Sequence, residues 1–353
     1  MFSSLPFSYV FFFMAVFGTV FSVSSCHWLG IWGGLEINLI GFVPLLVYQK
    51  SMSESESAVK YFVMQALGSS LLMFGSLSAY SMSFSWDSLS SLSLFSYLSL
   101  MVITSGLVMK MGVFPFHFWF PGVMAGLPWL TCLLLATWQK VAPLFLVASL
   151  FELNVMFWFF IVLALIGSGS SLIGGLGGMN QTQIRALLAY SSIGHLGWIV
   201  FGMVHSSWVM KAYFSIYVLI SFCIFVSLWY LNSSISKNLG SLVYLNFFGL
   251  SIMVMLLSLG GLPPLLGFIS KWVVILMSME FMLWPFTALL ILGSLMSLFY
   301  YLSLFFSYFL SSSKLVQLNL IKLSKENTLV GMGMLMNLLG GLCLISSVTV
   351  WGI

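Results

Sequence analysis

The feature that most constrains this chain is a series of continuous apolar runs separated only by short clusters of Gly, Pro, Ser or charged residues. A helix needs roughly 20 apolar residues to cross about 30 Å of hydrocarbon, and these runs are of that length. Inside lipid only helices and closed barrels satisfy the backbone. The runs lack the alternation of barrel strands roughly 10 residues long, so the spans are helical. Of 353 residues, 61% are apolar and 5% charged, where a soluble domain has about 25% charged. That excludes a water-soluble enzyme and makes the lipid bilayer the chain's surroundings. The net charge of +4 is spread too thinly to form a basic patch, which excludes nucleic acid as a partner.

Reading the punctuation predicts eleven spans, near residues 5–25, 27–48, 58–80, 90–126, 128–150, 154–174, 182–204, 208–231, 243–281, 284–310 and 328–350. No Lys or Arg precedes Lys50, so the first run is read as a retained span rather than a signal or transit peptide. Two spans exceed one crossing, and both are interrupted: 90–126 by Gly112, Pro115 and Pro121, 243–281 by Gly260, Gly261, Pro263 and Pro264. Cut into two sets of five, the first ten spans place a broken helix fourth in each set, and an odd number per set inverts the second. The predicted fold is an all-α polytopic membrane protein with two inverted five-helix repeats, 1–150 and 151–310, followed by a loop and C-terminal helix, 311–353.

The loops on the N-terminal face carry Lys50, Arg185, Lys237, Lys314, Lys322 and Lys325, and the opposite loops Lys211, Asp87, Glu152 and Glu280. The positive-inside rule therefore puts the N-terminus on the cytoplasm-like side. Cys26, Cys132, Cys223 and Cys343 have no metal-ligand spacing, and no two histidines share a helix face at i, i+3 or i+4. No metal is expected. Gly174-Gly-Leu-Gly-Gly178 joins two apolar runs with no strand before it, so no nucleotide is expected either. Most aromatics and the 23 Met read as lipid-facing and core packing.

Against so apolar a background, Glu36, Lys110, Lys140 and Lys271 stand out, because an ionisable group near the bilayer centre costs at least about 2.5–3.5 kcal/mol. Glu36 lies nine residues past His27, roughly 13 Å along the helix, and needs a cation or a proton. Lys110 and Lys271 flank the two breaks, and Lys140 is mid-span. Burial weakens an ammonium's hold on its proton and a nearby carboxylate strengthens it, so such a series has the physics of a proton relay. Static ion pairing is the alternative, but three lysines cannot all be paired by one glutamate. Lys60 is secondary, read either as a snorkelling end charge or as tuning Glu36. His195, central in its span, is the other secondary candidate. His117 lies at the first break, where it can bond exposed backbone, and His27 and His205 lie at span ends.

These residues sit in recognisable stretches: Lys110-Met-Gly-Val-Phe-Pro-Phe-His-Phe-Trp119, Thr137-Trp-Gln-Lys-Val-Ala-Pro143, Asn180-Gln-Thr-Gln-Ile-Arg185 with Ala189-Tyr-Ser-Ser-Ile-Gly-His195, and Gly261-Leu-Pro-Pro-Leu-Leu-Gly-Phe-Ile-Ser-Lys-Trp272. Over nearly its whole length the sequence resembles the mitochondrial NADH dehydrogenase subunit 2 family, antiporter-like membrane subunits of respiratory complex I. The resemblance implies a proton pathway through Glu36, Lys110, Lys140 and Lys271, and also matches Lys60 and Gln65. It implies an inner-membrane location with the N-terminus on the matrix side and the C-terminus on the intermembrane-space side. Other membrane-arm subunits, including neighbouring antiporter-like ones, are the implied partners. NADH, flavin, iron–sulfur clusters and ubiquinone belong to other subunits, and this chain binds no cofactor. Gly122 and Ala186 depart from the family, which often has Glu and Lys there. A stand-alone sodium/proton antiporter is a rival reading, weakened because only Glu36 offers a carboxylate near midplane. A purely structural scaffold is the third.

Overall fold

Helix α1 (Ser8–Ser24) turns back at Ser25–His27 into α2 (Trp28–Leu46). The two pack backbone to backbone: a methyl on Gly18 would lie 2.5 Å from the Asn38 nitrogen and 2.7 Å from the Gly34 carbonyl. Between membrane helices, where lipid removes the hydrophobic drive, such close van der Waals approach is what holds them together. The computed structural model describes residues 7–47, 51–83, 94–153, 157–231, 246–279, 283–316, 331 and 333–342. Lys50, Asp87, Lys237, Glu280, Lys322, Lys325, Cys343, the side chain of Lys314 and most of span 328–350 lie outside the described residues.

The chain divides into two compact units, Met1–Val162 and Leu163–Ile353. In the first, α3 (Met52–Ser83) packs on α4 (Leu94–Met111), and α5 (Trp119–Gly126), α6 (Trp129–Ala136) and α7 (Trp138–Leu153) complete the unit. In the second, α9 (Ile184–His205), α10 (Ser207–Leu231), α11 (Asn246–Gly260), α12 (Leu266–Met279) and α13 (Trp284–Val316) pack on one another. Helix α8 (Phe157–Met179) begins five residues before the boundary set at Val162 and runs on into the second unit. No strand occurs among the described residues.

Among the described residues, seven helices are long and apolar enough to cross a membrane, and Ser8–Ser24, Tyr97–Met111, Gly249–Gly260, Leu266–Met279 and Gly333–Leu342 are shorter apolar helices. Each expected span coincides with a helix or a broken pair, the eleventh over its described residues only. Several span ends differ, α8 running to Met179 rather than 174 and α13 to Val316 rather than 310. Helix α3 begins at Met52 rather than 58, because the Ser51 hydroxyl accepts the Glu54 amide at 3.3 Å and caps a Ser- and Glu-rich first turn. The expected span 128–150 is one continuous apolar stretch, Trp129–Glu152, in which the single residue Thr137, at φ −116, ψ −70, separates α6 from α7. Pro143 inside α7 has no N–H to give the Gln139 carbonyl.

Both expected breaks are built alike. Gly112 has φ +70 and Gly261 φ +84, left-handed values that favour glycine. Val113 and Leu262 donate back to Val108 and Leu257, while Gly112 and Gly261 donate to Met109 and Ser258, the paired bonds of a Schellman helix end. A cis X–Pro bond follows three residues on in each, Phe114–Pro115 and Pro263–Pro264.

Candidate functional site

A helix that stops inside a membrane leaves its last carbonyls without helical partners. At the first break the Trp119 indole donates to the Met109 carbonyl at 3.2 Å and the Gln65 amide to the Lys110 carbonyl at 3.3 Å. At the second, the Lys271 ammonium donates to the Gly260 carbonyl at 2.8 Å and the Leu259 carbonyl at 3.4 Å. The C-terminal end of α11 carries a partial negative charge, which is where Lys271 places its positive one.

The first unit holds a small polar cavity, with about 10 Å³ of room for the centre of a water, space for roughly one molecule. Lys110 and Lys140 both line it, with Asn38, Tyr61, Gln65 and Gln139. Each lysine is buried, at 6% and 2% exposed. Glu36 is half-buried on α2 and acts electrostatically on the Lys110 ammonium. Its buried Oε1 has no hydrogen-bond partner among the described residues. The Lys140 ammonium lies 4.4 Å from the centre of the Phe120 ring, within the range of a cation–π contact.

Asn38, two residues after Glu36, and Gln139, next to Lys140, donate to one another, Nδ2 to Oε1 at 2.7 Å and Nε2 to Oδ1 at 3.0 Å. The Tyr61 hydroxyl adds a longer bond to Gln139 Oε1 at 3.4 Å. Asn38, Gln139 and Tyr61 carry no charge, so nothing marks them as misplaced within a span. Asn38 and Gln139 are signalled in the sequence by Glu36 and Lys140 beside them, and Tyr61 by its neighbour Lys60.

In the second unit, His195 and Lys271 line one cavity with Ser171, Ser191 and Tyr300. His195 Nδ1 and the Tyr213 hydroxyl are 3.0 Å apart, and the Tyr217 ring centre is 5.3 Å from the imidazole. His117 Nδ1 lies 3.2 Å from the Pro115 carbonyl, bonding backbone at the break. Lys60 sits apart from these groups: exposed on α3, it pairs with Glu56 one turn earlier at 2.5 Å. Gly122 is exposed with open space around it. No cluster of His, Cys, Asp or Glu among the described residues has the makings of a metal site. Cys26 and Cys223 are free thiols, and the Cys132 thiol donates to the Met124 carbonyl at 3.5 Å.

Comparison with known proteins fits this geometry. Residues 25–299, which include both breaks and Glu36, Lys110, Lys140 and Lys271, match the family described as NADH:quinone oxidoreductase/Mrp antiporter, TM. NADH-ubiquinone oxidoreductase chain 2 of Anopheles gambiae is 39% identical over 96% of this chain and 97% of its own length. A chain of respiratory complex I from Thermus thermophilus with bound aureothin superposes with a TM-score of 0.80 at 26% identity, over 97% of this chain and 80% of that one. A chain of the membrane-bound sulfane sulfur reductase, an archaeal respiratory membrane complex, shares the fold with a TM-score of 0.85 at 18% identity, over 98% of this chain and 74% of that one. On this evidence the chain belongs to the NADH-ubiquinone oxidoreductase chain 2 proteins within the NADH:quinone oxidoreductase/Mrp antiporter membrane family.

Proposed function

We propose that this chain is a membrane-arm subunit of NADH:ubiquinone oxidoreductase that carries protons across the mitochondrial inner membrane through Glu36, Lys110, Lys140 and Lys271. The observation that carries the reading is the shared cavity of Lys110 and Lys140, two buried cations beside room for a water, with Glu36 acting on the first of them. Where two ammonium groups share a low-dielectric interior, a proton on one disfavours a proton on the other. Quinone reduction in other subunits changes the charge on the Glu36 and Lys110 pair. Lys110 then passes its proton toward Lys140, and Lys271, with His195 in the same cavity, serves the second unit. Moving each proton against 100 mV costs about 2.3 kcal/mol, supplied by the redox reaction elsewhere.

In this reading residues 1–150 and 151–310 are the inverted repeats, the N-terminus faces the matrix and the C-terminus the intermembrane space. The chain binds no flavin, iron–sulfur cluster or quinone of its own. Exposed apolar faces such as the stacked Phe13, Phe17 and Phe21 of α1, with ring centres 6.4 and 6.0 Å apart, meet lipid or neighbouring membrane-arm subunits.

The test is proton pumping by the assembled complex in sealed vesicles with Lys140→Met, following NADH oxidation in parallel. Assembly with lost pumping supports the path. Unchanged protons per NADH would return the lysines to a structural role.

A further inference from the structure

The helix near the C-terminus contributes a side chain to the second break. Asn337 is buried, at 2% exposed. Its Nδ2 donates to the Ser258 hydroxyl at 2.7 Å, and its Oδ1 accepts the Leu266 amide at 3.3 Å. Ser258 belongs to α11, upstream of the break, and Leu266 is the first residue of α12, downstream of it. One amide thus closes the gap from both sides.

Each end of that amide answers a defect made by the break. Leu266 begins a helix whose first N–H groups have no partner inside it, and the preceding residues, Pro263, Pro264 and Leu265, offer no capping side chain. Asn337 Oδ1 caps it from another helix. On the other side the Ser258 hydroxyl donates to the Met255 carbonyl at 2.6 Å and takes the Asn337 donor on its free lone pair. The next two carbonyls after Ser258, those of Leu259 and Gly260, are the ones that receive the Lys271 ammonium.

We infer that Asn337 is a positioning residue for Lys271, holding the two halves of the broken helix so that the Leu259 and Gly260 carbonyls stay within reach of its ammonium. This rests on the reading that Lys271 carries protons. Asn337 touches no transferred proton. It sets the distance between the carbonyls on α11 and the lysine on α12 by bonding the Ser258 hydroxyl on one half and the Leu266 amide on the other.

The experiment compares Asn337→Leu, Asn337→Asp, Ser258→Ala, Leu338→Ala and Lys271→Met in the assembled complex in sealed vesicles, reading protons pumped per NADH. Asn337→Leu removes both bonds, so pumping per NADH is lost while NADH oxidation survives. A neutral Asp at 337 accepts from Leu266 and donates to Ser258, so Asn337→Asp restores pumping, a rescue that a packing role would not require. Ser258→Ala breaks one end only and gives a partial loss. Leu338→Ala loosens the same helix beside the bridge and leaves pumping normal. If Asn337→Leu does not assemble, normal pumping in Ser258→Ala overturns the inference. So does equal loss in Asn337→Leu and Leu338→Ala, or normal pumping in Asn337→Leu. Normal pumping in Lys271→Met overturns the underlying reading. Loss there with normal pumping in Asn337→Leu overturns the positioning role alone.

Discussion

Asn38 and Gln139 form a reciprocal amide pair across 101 residues of sequence, each donating to the other's oxygen. Both are buried, and the pair ties the helix that carries Glu36 to the one that carries Lys140. Replacing Asn38 with Leu strands the Gln139 amide and costs about 1–3 kcal/mol, the penalty of a buried polar group without its partner. The Asn38→Leu/Gln139→Leu double variant is expected to be more stable than either single one. Thermal unfolding of the detergent-extracted complex measures this, and additive losses would mean that the two amides do not act as a pair.

Glu36 and Lys110 are expected to behave as one unit. Glu36→Gln leaves the Lys110 ammonium without its carboxylate, and Lys110→Met leaves the carboxylate alone. Each single substitution lowers protons per NADH, and the double substitution is no worse than the more severe single one. A double variant whose loss equals the product of the two would separate their roles.

Lys60 provides the contrast. It faces outward to Glu56, so Lys60→Met is expected to keep more pumping per NADH than Lys110→Met. Equal losses would return Lys60 to the pathway.

Two glycines separate backbone geometry from simple space. Gly261→Ala puts a side chain at φ +84 and a methyl 2.9 Å from the Lys271 nitrogen, where left-handed geometry alone costs roughly 1–2 kcal/mol. It is expected to lose pumping. Gly122→Ala meets nothing within 4 Å inside α5 and gains about 0.5–1 kcal/mol from helix propensity. Comparing assembled yield and pumping of the two variants checks both, and a harmless Gly261→Ala would contradict the geometry of the break.

The phenylalanine face beneath Lys140 is worth about 0.5–2 kcal/mol to the charged lysine. Phe120→Leu is accordingly expected to slow pumping and Phe120→Tyr to preserve it, read as initial pumping rate at fixed NADH oxidation. No difference between the two would remove the ring from the site.

The spans and the two breaks were legible because apolar run length and Gly/Pro punctuation are local properties of the chain. The polar start of α3 was hidden, since Ser51-Met-Ser-Glu54 reads equally as a loop until its cap is seen. The separation of α6 from α7 at Thr137 carries no Gly and has only Pro143, six residues on, to mark it. Glu36, Lys110, Lys140 and Lys271 announced themselves by charge. Asn38, Gln139, Tyr61 and Asn337 did not, because a neutral polar residue in a span is common and only its partner, up to 101 residues away, gives it meaning.

The two helix breaks share a backbone design and differ in what answers their open carbonyls. At the first, an indole and an amide do so, and neither changes its charge at any physiological pH. At the second, the donor is an ammonium that becomes a neutral amine when its proton leaves. The donors that close the first break are therefore electrically inert, whatever the charge on the Lys110 side chain beside them. The second is a latch whose grip depends on the proton it holds, so the departure of one proton is felt by the backbone itself at Leu259 and Gly260.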